Sequence, residues 1–289
     1  MTIPAEKARL FDEIAASLAK VPKVEAVALG GSHARGHHRP DSDLDIAIYY
    51  REAAPFEIAD ICSIAETLST SGAPTVTGFY DWGPFVNGGA WIDHPFCKID
   101  FLYRNLDQLE AIIAEAQRGE WRHNFDQQPP FGFRTVTTLG EIHIAKPLHD
   151  PKNILAPLKY AVATFPPALK ARIVQDTLWL AEFSFEHARN YAKAGDVPNT
   201  VGCMTRIYHY LVHALFALNE TYLVNDKSAL KEIDGFATKP PDFSARVSAI
   251  FASPGDGAEK LGTSLDRMKA LFAETIALAS GYKPRFAAP

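Results

Sequence analysis

The stretch "VALGGSHARGHHRPDSDLDIAIYY", Val27 to Tyr50, decides the reading of this chain. An apolar run gives way to two glycines and a serine. Three aspartates then fall at every second position, Asp41, Asp43 and Asp45, and lead into another apolar run. On a strand, alternate side chains share a face. Leu44, Ile46 and Ile48 therefore turn towards a core, and Asp43 and Asp45 turn the other way together. Two ionised carboxylates so placed call for a divalent cation, since otherwise one of them takes up a proton. The "LGGS" turn stands where a strand ends. Glycines there let the backbone approach a ligand, and N–H groups attract phosphate. Gly30, Gly31 and Ser32, with Arg35 three residues on, are candidate phosphate contacts.

Outward from this stretch, the pattern alternates between helix and strand. Residues 4–20 read as a helix, with Pro4 in its first turn and Leu10, Phe11, Ile14 and Leu18 on one face. Strands are expected at 24–29, 44–50, 75–80 and 97–104, with a further one at "EIHIA" (141–145) followed by a turn. Helices are expected at 56–68 and from Leu106 to Ala116, and "DWGPFVNGGAW" (81–91) reads as turn-rich. After Pro151 only helical periods remain. One stripe is Leu169, Ile173, Leu180 and Phe183, with Gly195 as its end. The next runs from Met204 to Tyr222, and the last is Leu261, Leu265, Met268, Phe272 and Ile276. The expectation is an α/β domain over 1–150 and a helical bundle over 151–289.

A third carboxylate, Asp100 in "CKIDFLYR", stands alone in an apolar strand, with Ile99 and Phe101 pointing opposite to it. If this strand lies beside 44–50, Asp100 joins the pair. Three carboxylates offer oxygen-only ligands, which suit Mg²⁺. Paired metals on such a cluster activate an attacking oxygen and steady a leaving one.

"GGSHARG", then "DSDLDI", then "KIDFLY" resembles the nucleotidyltransferase superfamily with the DNA polymerase β-like catalytic fold. The resemblance covers residues 24–104. It implies a mixed-sheet, α+β catalytic domain ahead of the all-α bundle. It also implies that Gly31 and Ser32 hold nucleotide phosphates, that Asp43 and Asp45 ligate Mg²⁺, with two ions expected, and that Asp100 binds metal or takes the proton of an attacking hydroxyl. The C-terminal half, with "HALFALNETYLVNDKSALKEI", is similar to bacterial small-molecule and antibiotic nucleotidyltransferase-like proteins. In these a helical domain closes over nucleotide and acceptor. That likeness implies nucleotide contacts from Asn219 and Lys227.

Composition narrows the alternatives. Residues 1–150 carry 13 Lys and Arg against 21 Asp and Glu, net −8, and residues 151–289 carry 16 against 13, net +3. Neither half has the basic field that long nucleic acids require. Three scattered cysteines, Cys62, Cys97 and Cys203, make neither a disulfide framework nor a thiolate zinc site. No apolar block of membrane-spanning or signal-peptide kind occurs, so a cytoplasmic location is expected. Asp41, Asp43, Asp45 and Glu52 fall at positions 1, 3, 5 and 12 of a calcium loop. Ile46 stands where that loop needs glycine, so the motif is set aside. Asp41 is read as capping the loop. His33, His37 and His38 read as loop histidines, with His33 the one best placed to meet a phosphate. Trp82, Trp91 and Tyr103 are read first as packing residues, with base stacking or an acceptor pocket as their functional alternative. Glu141 and His143 are left open as a further base.

The expected function is Mg²⁺-dependent transfer of a nucleoside monophosphate from an NTP, ATP favoured, across a cleft between the two domains to a small hydroxylated, aminoglycoside-like acceptor. Transfer to a protein side chain, RNA tailing and a silent nucleotide-binding module are the alternatives.

Overall fold

The computed structural model describes residues 5–36, 38–39 and 42–286. Pro4, His37 and Asp41, assigned above to a helix start, a histidine cluster and a loop cap, lie outside the described residues. The chain divides into two compact units, Met1–Glu115 with Arg122–Thr164, and Ala116–Trp121 with Phe165–Pro289. Among the described residues no helix is long and apolar enough to cross a membrane.

The first unit runs α1 (Ala5–Leu18), β1 (Ala26–Leu29), α2 (Gly31–Arg35), β2 (Leu44–Tyr50), α3 (Ile58–Leu68), β3 (Thr75–Val76), β4 (Gly89–His94) and β5 (Cys97–Asn105). It continues with α4 (Leu106–Gln117), β6 (His123–Asn124), β7 (Phe133–Arg134), α5 (Thr135–Ile144), β8 (Lys146–His149) and α6 (Leu155–Ala161). Six strands make one mixed sheet in the order β3-β4-β5-β2-β1-β8, and β6 pairs with β7 separately. Within the large sheet β2 and β5 run parallel, and the other neighbours are antiparallel.

The alternation in β2 works as expected. Leu44, Ile46 and Ile48 are fully buried in a core with Ile14 and Leu18 of α1 and Ile61 of α3. Ala47 and Tyr49 on the opposite face are buried too, so β2 is covered on both sides except at Asp45. Apolar contact on two faces is the pattern of an interior strand.

Three expected elements differ. The strand expected at 75–80 stops at Val76. Thr77 Oγ1 takes the Gly89 N–H at 2.9 Å, and the chain then turns through Gly78, whose N–H bonds the Asp81 carboxylate at 2.7 Å. The segment read as turns, 81–91, contains the start of β4. Gly89 is there for packing, since a Cβ on it would stand 1.8 Å from the Phe101 carbonyl oxygen. "EIHIA" belongs to helix α5, whose buried Val136, Leu139 and Ile142 recur at helical spacing, and the strand is β8 just after it. Lys159 Nζ closes the end of α5 by donating to the carbonyls of Ile142, His143 and Ala145.

The second unit is helical among its described residues. It comprises α7 (Pro167–Lys193), α8 (Val197–Leu218), a 3₁₀ turn at Asp226–Ser228, α9 (Ala229–Asp234), α10 (Phe243–Ala252) and α11 (Ala258–Leu278). Gly195, at φ +71°, ends the α7 segment, and the Asp196 side chain caps α8 by accepting from the Asn199 N–H at 3.1 Å. The α7 stripe is shifted from the expected one. Leu169 and Ile173 are buried, but the inward face continues through Leu178, Ala181, Phe185 and Ala188, while Phe183 is 45% exposed. In α8, Met204, Ile207, Leu211 and Leu215 are all fully buried.

Candidate active site

The site grows from the end of β1. Gly30 donates its N–H to the Asp45 carbonyl at 2.8 Å, which ties the glycine turn to β2. Gly31 then starts α2 at φ +54°, and a Cβ there would lie 1.7 Å from Asp45 Oδ2. The carboxylate of Asp45 thus occupies the space that any side chain at position 31 would need. Gly36, at φ +74°, ends α2 in the left-handed region. Ser32 and Arg35 on α2 are half-buried. His33 turns inward, 1% exposed, stacked on His38 at 4.5 Å and edge-on to Phe11 at 5.6 Å.

The parallel register puts Asp45 directly opposite Asp100. Neighbouring strands are about 4.8 Å apart, so the two carboxylates leave the sheet side by side. Asp43 precedes the first residue of β2 and is exposed, whereas Asp45 and Asp100 are half-buried. Burial, and then repulsion from Asp100, Glu141 and Asp43, push the Asp45 carboxyl from 3.8 up to about 7, against a smaller opposing pull from Arg104. This is the electrostatics of a carboxylate group short of positive charge.

Arg104 is a cation that the structure places beside Asp45. It is two register steps beyond Asp100 on the same face of β5, is only 6% exposed, and meets both Glu141 carboxylate oxygens at 3.0 and 2.9 Å. Burial pushes the Glu141 carboxyl up even with that guanidinium beside it. Arg104 is not among the residues that the sequence motifs single out. The signal was its parity, since residues 100, 102 and 104 of one strand share a face.

Among the described residues, no group of three or more His, Cys, Asp or Glu side chains stands ready to enclose a metal ion unaided. Asp43, Asp45 and Asp100 still offer an all-oxygen donor set of high negative charge. That set fits Mg²⁺, which keeps several waters and takes phosphate oxygens rather than a protein cage.

The remaining candidates have the following surroundings. Tyr103 is fully buried against Phe56 and Phe79 and packs the core. Trp82 stacks on Trp91, whose indole is 53% exposed. His143 Nδ1 lies 3.2 Å from the Val162 carbonyl. Asn219 and Lys227 are in the second unit. The Asn219 side chain ends α8, donating to the carbonyls of Leu215 and Thr238 and accepting the Thr238 N–H. Lys227 is exposed in the 3₁₀ turn.

Residues 12–74 match the family model described as "Polymerase beta, Nucleotidyltransferase". No curated protein is similar enough in sequence to count as a match. Among solved structures, a nucleotidyltransferase-like protein from Exiguobacterium sibiricum aligns at TM-score 0.46 and 9% identity, over 94% of this chain and 75% of that one. An aminoglycoside 6-adenyltransferase from Bacillus subtilis aligns at 0.35 and 10%, over 97% and 93%. A CCA-adding enzyme in complex with ATP aligns at 0.29 and 12%, over 99% and 86%. The family match takes in β1, the glycine turn, Asp43 and Asp45, and ends before Asp100. The segment that carries the glycine turn and the aspartate pair is thus the part of the chain that is similar to the polymerase β nucleotidyltransferases.

Proposed function

We propose that the protein is a Mg²⁺-dependent nucleotidyltransferase that moves a nucleoside monophosphate from an NTP, ATP first, to a hydroxyl of a small aminoglycoside-like acceptor. The observation that carries this reading is the register Asp45 opposite Asp100, with Gly31 closed against the Asp45 carboxylate; Gly31 and Asp45 lie on the segment that matches the family.

In this reading the backbone of Gly30 and Gly31, the Ser32 hydroxyl and Arg35 bind the triphosphate. Asp43, Asp45 and Asp100 would hold Mg²⁺, which when bound neutralises phosphate charge and the mutual repulsion of the carboxylates. Asp100 accepts the proton of the acceptor hydroxyl as its oxygen bonds to the α-phosphorus. The bond from that phosphorus to the oxygen bridging to the β-phosphate breaks, and pyrophosphate leaves with the electron pair. Arg104 holds Glu141 beside Asp45. Positioning and charge neutralisation supply most of the rate.

The test is to incubate the protein with Mg²⁺, each NTP in turn and a panel of hydroxylated acceptors, following pyrophosphate and acceptor mass. Gain of one nucleoside monophosphate, lost in Asp45→Asn, is the expected result. Tight Mg·NTP binding with no turnover on any acceptor sinks the transferase reading in favour of a binding module. Mass gained by a protein instead makes a protein side chain the acceptor.

A further inference from the structure

We propose that the cavity beside Asp43 and Asp100 is the acceptor pocket, that Trp91 is its stacking floor, and that it takes a hydroxylated ring bearing an amine. This rests on the transferase reading above and adds to it where the acceptor binds and which residues select it.

Sheet order supplies the first argument. The glycine turn follows β1. The neighbouring β2 brings Asp43 and Asp45, β5 brings Asp100, and β4 brings Trp91, the register partner of Asp100. The groups therefore form a row across the sheet, with the phosphate turn at one end and Trp91 at the other. In an in-line displacement the attacking oxygen and the leaving group stand on opposite sides of the phosphorus. With the triphosphate at the glycine turn, the hydroxyl arrives from the side of Asp100 and Trp91.

A cavity of about 350 Å³ lies on that side, bounded by Asp43, Trp91, Asp93, Lys98 and Asp100. Its volume is at the small end of the range for small-molecule sites, roughly 300–1,000 Å³, and suits one or two rings. Trp91 faces it from a fixed position. Its indole is 53% exposed on one side and stacked on Trp82 at 4.9 Å, 21° from parallel, on the other. A rigid exposed indole stacks the C–H face of a polyol ring and attracts an ammonium group. Asp43 and Asp100 belong to the metal set, so Asp93, beside Lys98 on the wall, is the carboxylate left to meet the ammonium of an acceptor. Ser69, Ser71 and Thr75 add hydroxyls to the wall for the hydroxyls of such a ring.

The test uses neamine, an amine-bearing two-ring polyol, and maltose, a neutral one, with Mg·ATP binding measured separately by calorimetry. Neamine should bind and quench tryptophan fluorescence, and maltose should bind at least about tenfold more weakly. Trp91→Ala should weaken neamine by about tenfold or more and leave the Mg·ATP Kd within about twofold, while Trp91→Phe stays within about threefold of wild type for both. Asp93→Asn should weaken neamine but not maltose. Circular dichroism checks the fold, and Trp91→Leu, which keeps apolar bulk but has no ring face, serves if the alanine variant fails to fold and should show the same loss of neamine affinity. Absence of neamine binding at millimolar concentration, with Mg·ATP still bound, overturns the acceptor pocket alone. Loss of Mg·ATP affinity in Trp91→Ala with neamine unaffected makes Trp91 a base platform and also overturns it. Failure of the wild-type protein to bind Mg·ATP overturns the transferase reading and this proposal together.

Discussion

Gly31 and Asp45 share one space. The Asp45 carboxylate fills the position that a methyl group on Gly31 would take, 1.7 Å from Oδ2, and Gly31 holds φ +54°. Gly31→Ala must displace the carboxylate and adopt a backbone unfavourable to alanine. We expect a loss of about 1–3 kcal/mol in denaturant melts, together with loss of transfer activity. Gly36→Ala is the control. It also has positive φ, +74°, but open space around it, so it should cost about 1–2 kcal/mol from the backbone alone and leave Asp45 and activity in place. Equal effects of the two substitutions would show that backbone strain alone matters.

Asp45 makes stability depend on pH in a direction opposite to that of most acidic groups. Its folded value, about 7, is above the ordinary 3.8, so the fold favours the protonated form. This contribution is full below about pH 4 and declines as pH rises through 7. In metal-free buffer the Tm of wild type should fall over that window, whereas Asp45→Asn should hold steadier and melt higher at pH 8. Mg²⁺ should recover Tm in wild type but not in the variant. A parallel pH profile in the two proteins would rule out carboxylate repulsion at Asp45.

How much of this was legible in the sequence follows from the range over which each cue acts. The parity of Asp43 and Asp45 against Leu44, Ile46 and Ile48 is local, and strand geometry alone orders it. The partnership of Asp45 with Asp100 needs β5 to lie parallel beside β2, which no local pattern states; the isolated aspartate in an apolar run was its only trace. β4 was hidden because Gly88 and Gly89 read as a turn, whereas Gly89 is small to admit the Phe101 carbonyl. Ile142 and Ile144 alternate like a strand, but the helical period begins at Val136, outside a five-residue window. Arg104 carried its signal in parity, and its partner Glu141 lay in the helix mistaken for a strand.

Asp107 joins β2 to α4. Its carboxylate accepts the Glu52 N–H at 2.8 Å and the Arg51 guanidinium at 2.8 Å, and the Glu52 backbone bond leads the causes that hold its carboxyl below the usual 3.8. A depressed value contributes stability above the unfolded pKa and loses it as pH falls through the folded one. Asp107→Asn should therefore be less stable than wild type at pH 7 and converge with it near pH 2. The carboxylate is 48% exposed, so the difference should be about 1 kcal/mol or less. A gap that persists in acid would assign the effect to packing instead.

Arg104 and Glu141 test whether the site depends on a paired charge or merely on filled volume. The guanidinium is 7% exposed and the carboxylate 29%, with both oxygens on one nitrogen. Removing Arg104 leaves Glu141 without its partner and takes away a cation that opposes the rise in Asp45. Arg104→Met should cost about 3 kcal/mol in chemical denaturation, near the low end for a broken buried pair because the carboxylate keeps some water. Adding Glu141→Leu removes the stranded charge, and the double variant should regain most of the loss, since apolar replacement of a buried pair is often neutral. Its activity should not return in step, because Arg104 also lowers the proton affinity of Asp45. Recovery of both stability and turnover in the double variant would reduce the pair to a space-filling role.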